Sequence, residues 1–550
     1  MRYPARALRT LGVQAGLWLP PLLVGAGLRG CHLPDQILTG DELHAVNGAL
    51  SLTVGEILRT WTYHGADYSV PLTAFYRFLL DRGVVLSELG FRLPVLAASL
   101  ATILLVPRLL LPRIGRRSAV VLAWLLALSP MLVLYGRMVR SYAPTVLLAC
   151  GAVIAFDRWW RGGSRRAAGV YVGLAAGASW LHLGAAPFVL SPFLFATVRF
   201  LADGSKQRRR LAGTAALAGA TAGAIALLLL PAAESLFALA ELHGRGRFPP
   251  LASWREVAFL QLGTHSTPLL LLLVAIALRG GFVLARRERE FLLLLGTLLI
   301  GQVAGLVVLA PNFLEAPIVL NRYLLVGLPF LLLLVAVGLA TPLPESRAGG
   351  LPPAQLIVTL GLLGWLFGSG PLADEEFRWS SFTHAQPFVN FRQQEEHALR
   401  VPAFYRELPP GEEAILEAPW TNVGTHSFSA YQRVHRRPLR MVTLNRLHQD
   451  PRVRFRNILF PDSDSLLGSD ARWIVVHVDV RQEELRIVTP ELRHLERLES
   501  LPELWEILRG AGLRLAARLQ TEWGPAVHSD EEIRVWDLHA VRSRSSDPDP

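Results

Sequence analysis

The chain has 550 residues, 51% of them hydrophobic and 18% charged, with a formal net charge of +11 and a mean hydropathy of +0.35. The apolar residues cluster in continuous runs near the ~20 residues a helix needs to cross a bilayer, which excludes a water-soluble multidomain reading for most of the chain. The runs do not alternate, so they are helices rather than barrel strands, and the basic residues fall in short loops between them, which excludes a nucleic-acid partner as the source of the charge.

The first apolar run, 11–28, follows Arg2, Arg6 and Arg9, shows no clear cleavage site and reads as a retained anchor. A long loop, 30–88, comes next, with amphipathic stretches at 43–58 and 70–80 suited to lie along a membrane surface. It opens with Thr39-Gly40-Asp41-Glu42-Leu43-His44, two adjacent carboxylates beside an apolar helix. Either one of them removes a proton from an incoming hydroxyl or amine, or the pair caps the amphipathic helix that follows. Asp67 stands further along, between His64 and Tyr68, as a second acid or an ordinary loop aspartate.

Ten more runs follow, at 89–111, 119–134, 142–159, 168–181, 183–201, 211–230, 267–284, 291–309, 323–340 and 354–368, for eleven spans in all. The fifth and sixth abut at Trp180-Leu181-His182 and can also be read as one broken element. With the amino terminus cytoplasmic, inside loops carry Arg108/Arg113/Arg116/Arg117, Arg158/Arg161/Arg165/Arg166, Lys206/Arg208/Arg209/Arg210 and Arg286/Arg287/Arg289, as the positive-inside rule requires. The odd number of spans then places the carboxyl end outside.

Against that rule, Arg137 and Arg140 occupy a very short outside turn before Ser141-Tyr142. Either an anionic lipid phosphate gives them a partner, since arginine binds phosphate bidentately, or the side chains reach to the headgroups. Asn321-Arg322-Tyr323 opens the tenth span in the same way, and an arginine at a helix start opposes the helix dipole unless an anion relieves it. His182 lies at the same face, where a lone histidine is more often a packing residue.

The tail is denser in charge. Short β-like runs at 414–417, 440–442 and 473–478 alternate with helical patterns at 393–405, 481–498 and 501–513, which suggests a small α/β domain. The expected organisation is a transmembrane module over 1–372, an extracytoplasmic α/β domain over 373–541 and a disordered tail over 542–550. Cys31 and Cys150 set no disulfide framework, and the chain contains no phosphate-binding glycine loop, nucleophile elbow, dinucleotide fingerprint or metal-spaced Cys/His set.

Taken in order, these residues resemble the GT-C superfamily of membrane glycosyltransferases, in particular the family 39-like branch of protein O-mannosyltransferases and bacterial aminoarabinose transferases. The resemblance rests on Asp41-Glu42 in a long first outside loop, the 71–80 segment and the Phe91-Arg92-Leu93-Pro94 entry. It continues through Ser129-Pro130, Arg137 and Arg140-Ser141-Tyr142, then the Leu181-His182 turn, and Arg322-Tyr323 with Pro329. It covers about 11–340 as an ordered set, without any one highly specific motif.

The resemblance implies a multi-pass enzyme of the cell (inner) membrane, transferring a sugar from a polyprenyl-phosphate-linked donor to a protein, lipid or glycan acceptor outside the cytoplasm. Asp41 matches the family's catalytic base, and Arg140 and Arg322 match arginines that hold the lipid phosphate. Glu42, Asp67, Arg137, Tyr142, His182 and Tyr323 complete the expected donor site. One-step attack by an acceptor activated by Asp41 would invert the anomeric centre. The first loop holds no lysine, where aminoarabinose transferases place one near the phosphate; Lys206 is the only lysine in the chain. The resemblance sets no cofactor, and no motif here supports a divalent metal. A transporter or flippase of polyprenyl-linked glycans is the alternative, but internal repeats and midplane charges are not evident. A non-catalytic membrane scaffold leaves the Asp41-Glu42 loop unexplained.

Overall fold

The computed structural model describes residues 4–31, 33, 38, 42–63, 66–203, 208–237, 248–309, 311, 314, 317–341, 353–373, 402–409, 411–418, 431, 434–435, 437, 439–441, 466–478 and 502–546. In chain order the helices are α1 (Pro4–Gly30), α2 (Glu42–Ser51), α3 (Val54–Arg59), α4 (Val70–Asp81), α5 (Glu88–Leu128), α6 (Pro130–Tyr135), α7 (Tyr142–Gly162) and α8 (Arg165–Leu181). They continue as α9 (Ala186–Asp203), α10 (Arg208–Leu229), α11 (Leu251–Leu262), α12 (Thr267–Arg287), α13 (Arg289–Leu309), α14 (Pro317–Leu324), α15 (Leu328–Ala340) and α16 (Pro353–Ser369).

Among the described residues, Glu88–Leu128, Leu183–Ala202, Arg210–Phe237, Thr267–Arg287, Arg289–Leu309 and Pro317–Ala340 are long and apolar enough to cross a membrane. This is the pattern of a multi-pass membrane protein. The other expected spans coincide with helices that are shorter or less apolar; α7, for instance, ends in Asp157, Arg158 and Arg161. The spans expected at 89–111 and 119–134 share the α5 stretch, divided at Gly115, where φ is 77° and helical geometry is lost. The second of them stops at Leu128 rather than 134, because Pro130 has no N–H to continue the ladder; α6 restarts there. The 43–58 stretch is likewise two helices, with Thr53 and Glu56 forming a capping box that starts α3.

The chain divides into two compact units. The first comprises Met1–Cys31, Ser51–Arg77 and Arg92–Ala373, and its closest helix pairs are α7 with α8, α12 with α15, and α9 with α13. An aromatic cluster fills the space between α7, α8 and α9: the Phe156 ring meets Trp160, Tyr171, Phe193 and Phe195 at centroid distances of 5.4–6.4 Å. At the far end of α7 from Tyr142, Arg113 forms ion pairs with Asp157 and Glu288, and Arg161 bonds the same Asp157 at 2.6 Å. The paired charges neutralise one another at low exposure, which keeps a buried cation affordable in a helical core.

The second unit comprises His32–Leu50, Phe78–Phe91 and Asp374–Pro550. The first unit also holds two short strands, β1 (Thr62–Tyr63) and β2 (Ala66–Asp67). The described part of the second holds a five-stranded sheet of β3 (Ala414–Ala418), β4 (Leu439–Met441), β5 (Ala471–His477), β6 (His528–Ser529) and β7 (Ile533–Asp537), in the order β4-β3-β5-β7-β6. β4, β3 and β5 run parallel, and β7 and β6 are antiparallel. Strand alternation divides its two faces. Leu416, Ile474 and Val476 pack on one face against α17 (Pro502–Trp523) and α18 (Leu538–Ser546) through Leu515, Leu519, Trp523 and Val541. The opposite face carries Glu417 and His477.

Three of the β-like runs are strands, whereas β6 and β7 carry no comparable run in the sequence reading. The helical pattern expected at 481–498 lies outside the described residues. Of the tail expected to be disordered over 542–550, residues 542–546 instead continue α18, where the Arg542 guanidinium donates to the carbonyls of Leu467, Ser469 and Ala471; 547–550 lie outside the described residues.

Candidate functional site

The site begins at the turn between α6 and α7, within the first unit. Tyr142 opens α7 nearly buried, its ring edge-on to Tyr135 at 4.8 Å and tilted against His182 at 5.2 Å. His182 is where α8 ends; with φ −155° and ψ 112° it leaves the helix, and its N–H donates to the Ala178 carbonyl. The chain then makes one 3-10 turn, Leu183–Ala185, before α9. A Cβ on Gly184 would stand 2.8 Å from His182 Cε1 and 3.0 Å from Tyr323 Cδ1, so only glycine lets both rings close over this turn. His182 and Tyr323 meet edge to face at 5.7 Å. Tyr323 is held from behind, since its carbonyl accepts a hydrogen bond from Gln302 Nε2 at 2.8 Å.

An arginine sits at each end of this line of rings. The Arg140 guanidinium lies 6.0 Å from the Tyr142 ring centre, and that of Arg322 lies 5.9 Å from Tyr323; both residues are half-buried. These distances are at the limit of about 6 Å for cation–π attraction, so the rings contribute only weakly to orienting the guanidinium groups. Three separate elements therefore contribute to one constellation of cation, phenol, imidazole, phenol and cation. Such a set can hold a phosphate through forked N–H donors while the rings shield it from water.

Part of the first long loop packs onto the same place. Ser69 Oγ donates to the Leu181 carbonyl at 2.9 Å, and the Trp61 N–H donates to Ser235 Oγ at 2.9 Å. Ile57, Trp61, Tyr68 and Val70 bury themselves against Ala232, Trp180 and Leu183. Burial raises the Tyr68 hydroxyl above its ordinary range, although Thr60 shares a hydrogen bond with it, so it stays protonated.

Of the residues expected at the site, Arg140, Tyr142, His182, Arg322 and Tyr323 are brought together. Asp67 is in a two-residue strand, Ala66–Asp67, paired with Thr62–Tyr63 and ending two positions before Ser69. Glu42 is buried and opens α2. Asp41 lies outside the described residues. Arg137 is 5% exposed and donates to the Cys31 carbonyl at 2.8 Å. Among the described residues, no three His, Cys, Asp or Glu side chains converge as metal ligands.

Sequence reasoning named Asn321 only as the start of the tenth span, without a role at the site. It is fully buried beside Arg322, and neither its amide nitrogen nor its amide oxygen has a hydrogen-bond partner among the described residues. An unsatisfied buried polar group costs about 1–3 kcal/mol, which makes it a mark of function or of bound solvent. The signal was an amide within an otherwise apolar turn, 317–320, ahead of an arginine.

No family model matches the chain, and no curated protein matches it. Solved structures similar to it include ArnT from Cupriavidus metallidurans in the apo state, at 15% identity, covering 98% of this chain and 100% of that one with a TM-score of 0.46. The same ArnT bound to undecaprenyl phosphate gives 15% identity, 84% and 93% coverage and a TM-score of 0.45. The archaeal oligosaccharyltransferase AglB from Archaeoglobus fulgidus, in complex with an inhibitory peptide and a dolichol-phosphate, gives 10% identity, 86% and 71% coverage and a TM-score of 0.47.

Proposed function

We propose that the chain is a GT-C membrane glycosyltransferase that moves a sugar from a polyprenyl-phosphate-linked donor to an acceptor on the extracytoplasmic face. The observation that carries this reading is the constellation Arg140–Tyr142–His182–Tyr323–Arg322, assembled from three helix ends of a multi-pass helical unit. The Asp41-Glu42 loop, the basic inside loops and the ordered resemblance along 11–340 support it from the sequence.

The chemistry follows from charge. When the bond between the sugar's anomeric carbon and the donor phosphate breaks, the departing phosphate gains negative charge. Fixed guanidinium groups at Arg140 and Arg322 stabilise that developing charge more than the ground state, which lowers the barrier. Asp41 takes the proton from the acceptor's hydroxyl or amine as it attacks from the opposite side, so one displacement inverts the centre. Tyr142, His182 and Tyr323 lie between the two cations. The lipid tail stays in the bilayer, which explains why such a site belongs at the ends of apolar helices.

The test is turnover of a polyprenyl-phosphate-linked sugar by the purified protein in lipid nanodiscs. Asp41→Asn is expected to slow transfer by roughly 10²–10⁴-fold, the usual share of a general base, while donor binding persists. Wild-type turnover in that variant would sink the mechanism. Movement of the lipid between leaflets regardless of Asp41 would mark a flippase instead.

A further inference from the structure

Two arginines near the site, Arg29 and Arg137, are bonded to backbone carbonyls at helix ends. The α5 helix must end before Pro130, which offers no N–H to the carbonyl of Leu126, four residues back. Arg29, in the last turn of α1, fills that gap from a different helix: it donates to the carbonyls of Leu126 at 3.2 Å and Ala127 at 3.1 Å. It also donates to Ser99 Oγ at 2.7 Å and back to Gly25 of its own helix at 3.1 Å. Among the described residues all four of these bonds end on neutral oxygens, and Arg29 is 1% exposed. A cation at a helix carboxyl end complements the negative end of the helix dipole, which is how such a charge is tolerated without a carboxylate.

Arg137 returns the favour. It follows α6 in the turn that leads to Arg140, and it donates to the carbonyl of Cys31, just past the end of α1. Arg29 thus closes the end of α5, and Arg137, from the turn after α6, holds the backbone just past the end of Arg29's own helix. Ser99 joins the two halves, since a Cβ on Gly136 would lie 2.9 Å from Ser99 Cβ, the residue that accepts from Arg29. A small pocket of about 10 Å³, lined by Arg29, Ser99, Tyr135 and Gly136 among others, has room for about one water.

We propose that Arg29 and Arg137 form a two-point clasp that fixes the 136–141 turn, and that Arg29 is a positioning residue for Arg140 rather than a ligand of the donor. The proposal rests on the reading of the site given above. The clasp brackets α6: Arg29 anchors the end of α5 before it, and Arg137 anchors the turn after it. Arg140 is three residues further on, with its N–H bonded to the Met138 carbonyl at 2.7 Å. Freeing either anchor lets the turn move and takes the Arg140 charge away from the phosphate position, without removing the charge itself.

The experiment pairs two readouts on the full chain in nanodiscs: amide hydrogen exchange over 126–141, and affinity for undecaprenyl phosphate. Arg29→Gln is expected to speed exchange in that segment roughly tenfold or more and to weaken lipid-phosphate binding at least fivefold. Arg29→Lys, which can reach only some of the carbonyls, should restore part of both. Arg140→Gln should weaken binding to a similar extent while leaving exchange over 126–136 at the wild-type rate. Should Arg29→Gln fail to fold, Ser99→Ala removes one bond of the clasp and should shift both readouts in the same direction by less. Faster exchange with unchanged affinity in Arg29→Gln would reduce the clasp to a structural brace and overturn the proposal. Unchanged exchange would show there is no clasp. If Arg140→Gln itself leaves affinity unaltered, the reading of the site fails, and the positioning role falls with it even where exchange reveals the clasp.

Discussion

Each compact unit contains a cluster of aromatic and ionisable side chains, and the two are built on opposite principles. In the sheet-containing unit, Tyr405 donates to both carboxylate oxygens of Glu417 at 2.9 Å, and His477 Nε2 bonds one of them at 2.7 Å. The Tyr405 ring stacks on Tyr431 and His435, and Tyr431 stacks on His477. Glu417 is fully buried and Tyr405 nearly so; burial, with the Glu417 charge, pushes the Tyr405 hydroxyl well above its ordinary range. The Glu417 carboxylate is bonded within the cluster by both Tyr405 and His477. In the helical unit Arg140, His182, Arg322 and Tyr323 are half-buried around the buried Tyr142, the rings meet through faces and edges, and the arginines lie at the two ends. A buried carboxylate bonded by its neighbours specifies a fold, whereas arginines held beside rings at helix ends suit the phosphate proposed above. Titratable residues in a buried cluster are therefore not enough to identify a site.

The sharpest way to break this comparison is to exchange the consequences. Arg140→Gln with Arg322→Gln should lower turnover by more than the roughly 10²–10³-fold expected for losing a single charge-stabilising donor, and leave thermal unfolding of the chain nearly unchanged. Glu417→Ala should do the reverse. It strands a tyrosine and a histidine in the core, costing about 3–5 kcal/mol by analogy with breaking a buried pair, and turnover below the unfolding temperature should match wild type. Loss of activity in the folded Glu417→Ala protein would place that cluster in the chemistry and collapse the distinction.

Acid sharpens it further. Burial, followed by the Arg437 charge, lowers the His435 imidazole to about 3. The unfolded chain takes up a proton at this residue below its ordinary value near 6.5, while the folded chain excludes it until about pH 3. Stability should therefore fall as pH drops from 6.5 to 3, by at most about 1.4 kcal/mol per pH unit from this residue. His435→Phe should flatten that slope in urea titrations across the range. The smallest effect belongs to Gly184→Ala, in which a methyl group displaces the His182 and Tyr323 rings. About 1 kcal/mol of stability and a rise in KM exceeding any change in kcat are expected, because the cost of overpacking here falls on donor placement.

Much of this was legible in the chain, for identifiable reasons. Apolar runs declare membrane helices because lipid leaves the backbone no other choice, and the expected runs coincide with helices wherever they are described. Arg140, His182 and Arg322 drew notice because each sits at the end of an apolar span, against the charge rule or alone. That they would meet was not legible: His182 reaches Tyr142 and Tyr323 across 40 and 141 positions of sequence, and no periodicity encodes such contacts. The task of Arg137 was hidden for the same reason, since its acceptor is the Cys31 carbonyl, a backbone atom that every residue has. Pro130 was visible as a helix breaker, but the arginine that completes the broken end comes from a helix 97 residues earlier.

Native mass spectrometry of the purified protein, gently released from membranes and then exposed to polyprenyl-phosphate-linked sugars, tests the central claim most directly. The account predicts an adduct with the mass of a polyprenyl phosphate or its sugar conjugate on the wild type. That adduct should persist in Asp41→Asn and disappear in the Arg140→Gln, Arg322→Gln double variant. An equal adduct on the double variant, or none on the wild type after donors are added, would contradict it.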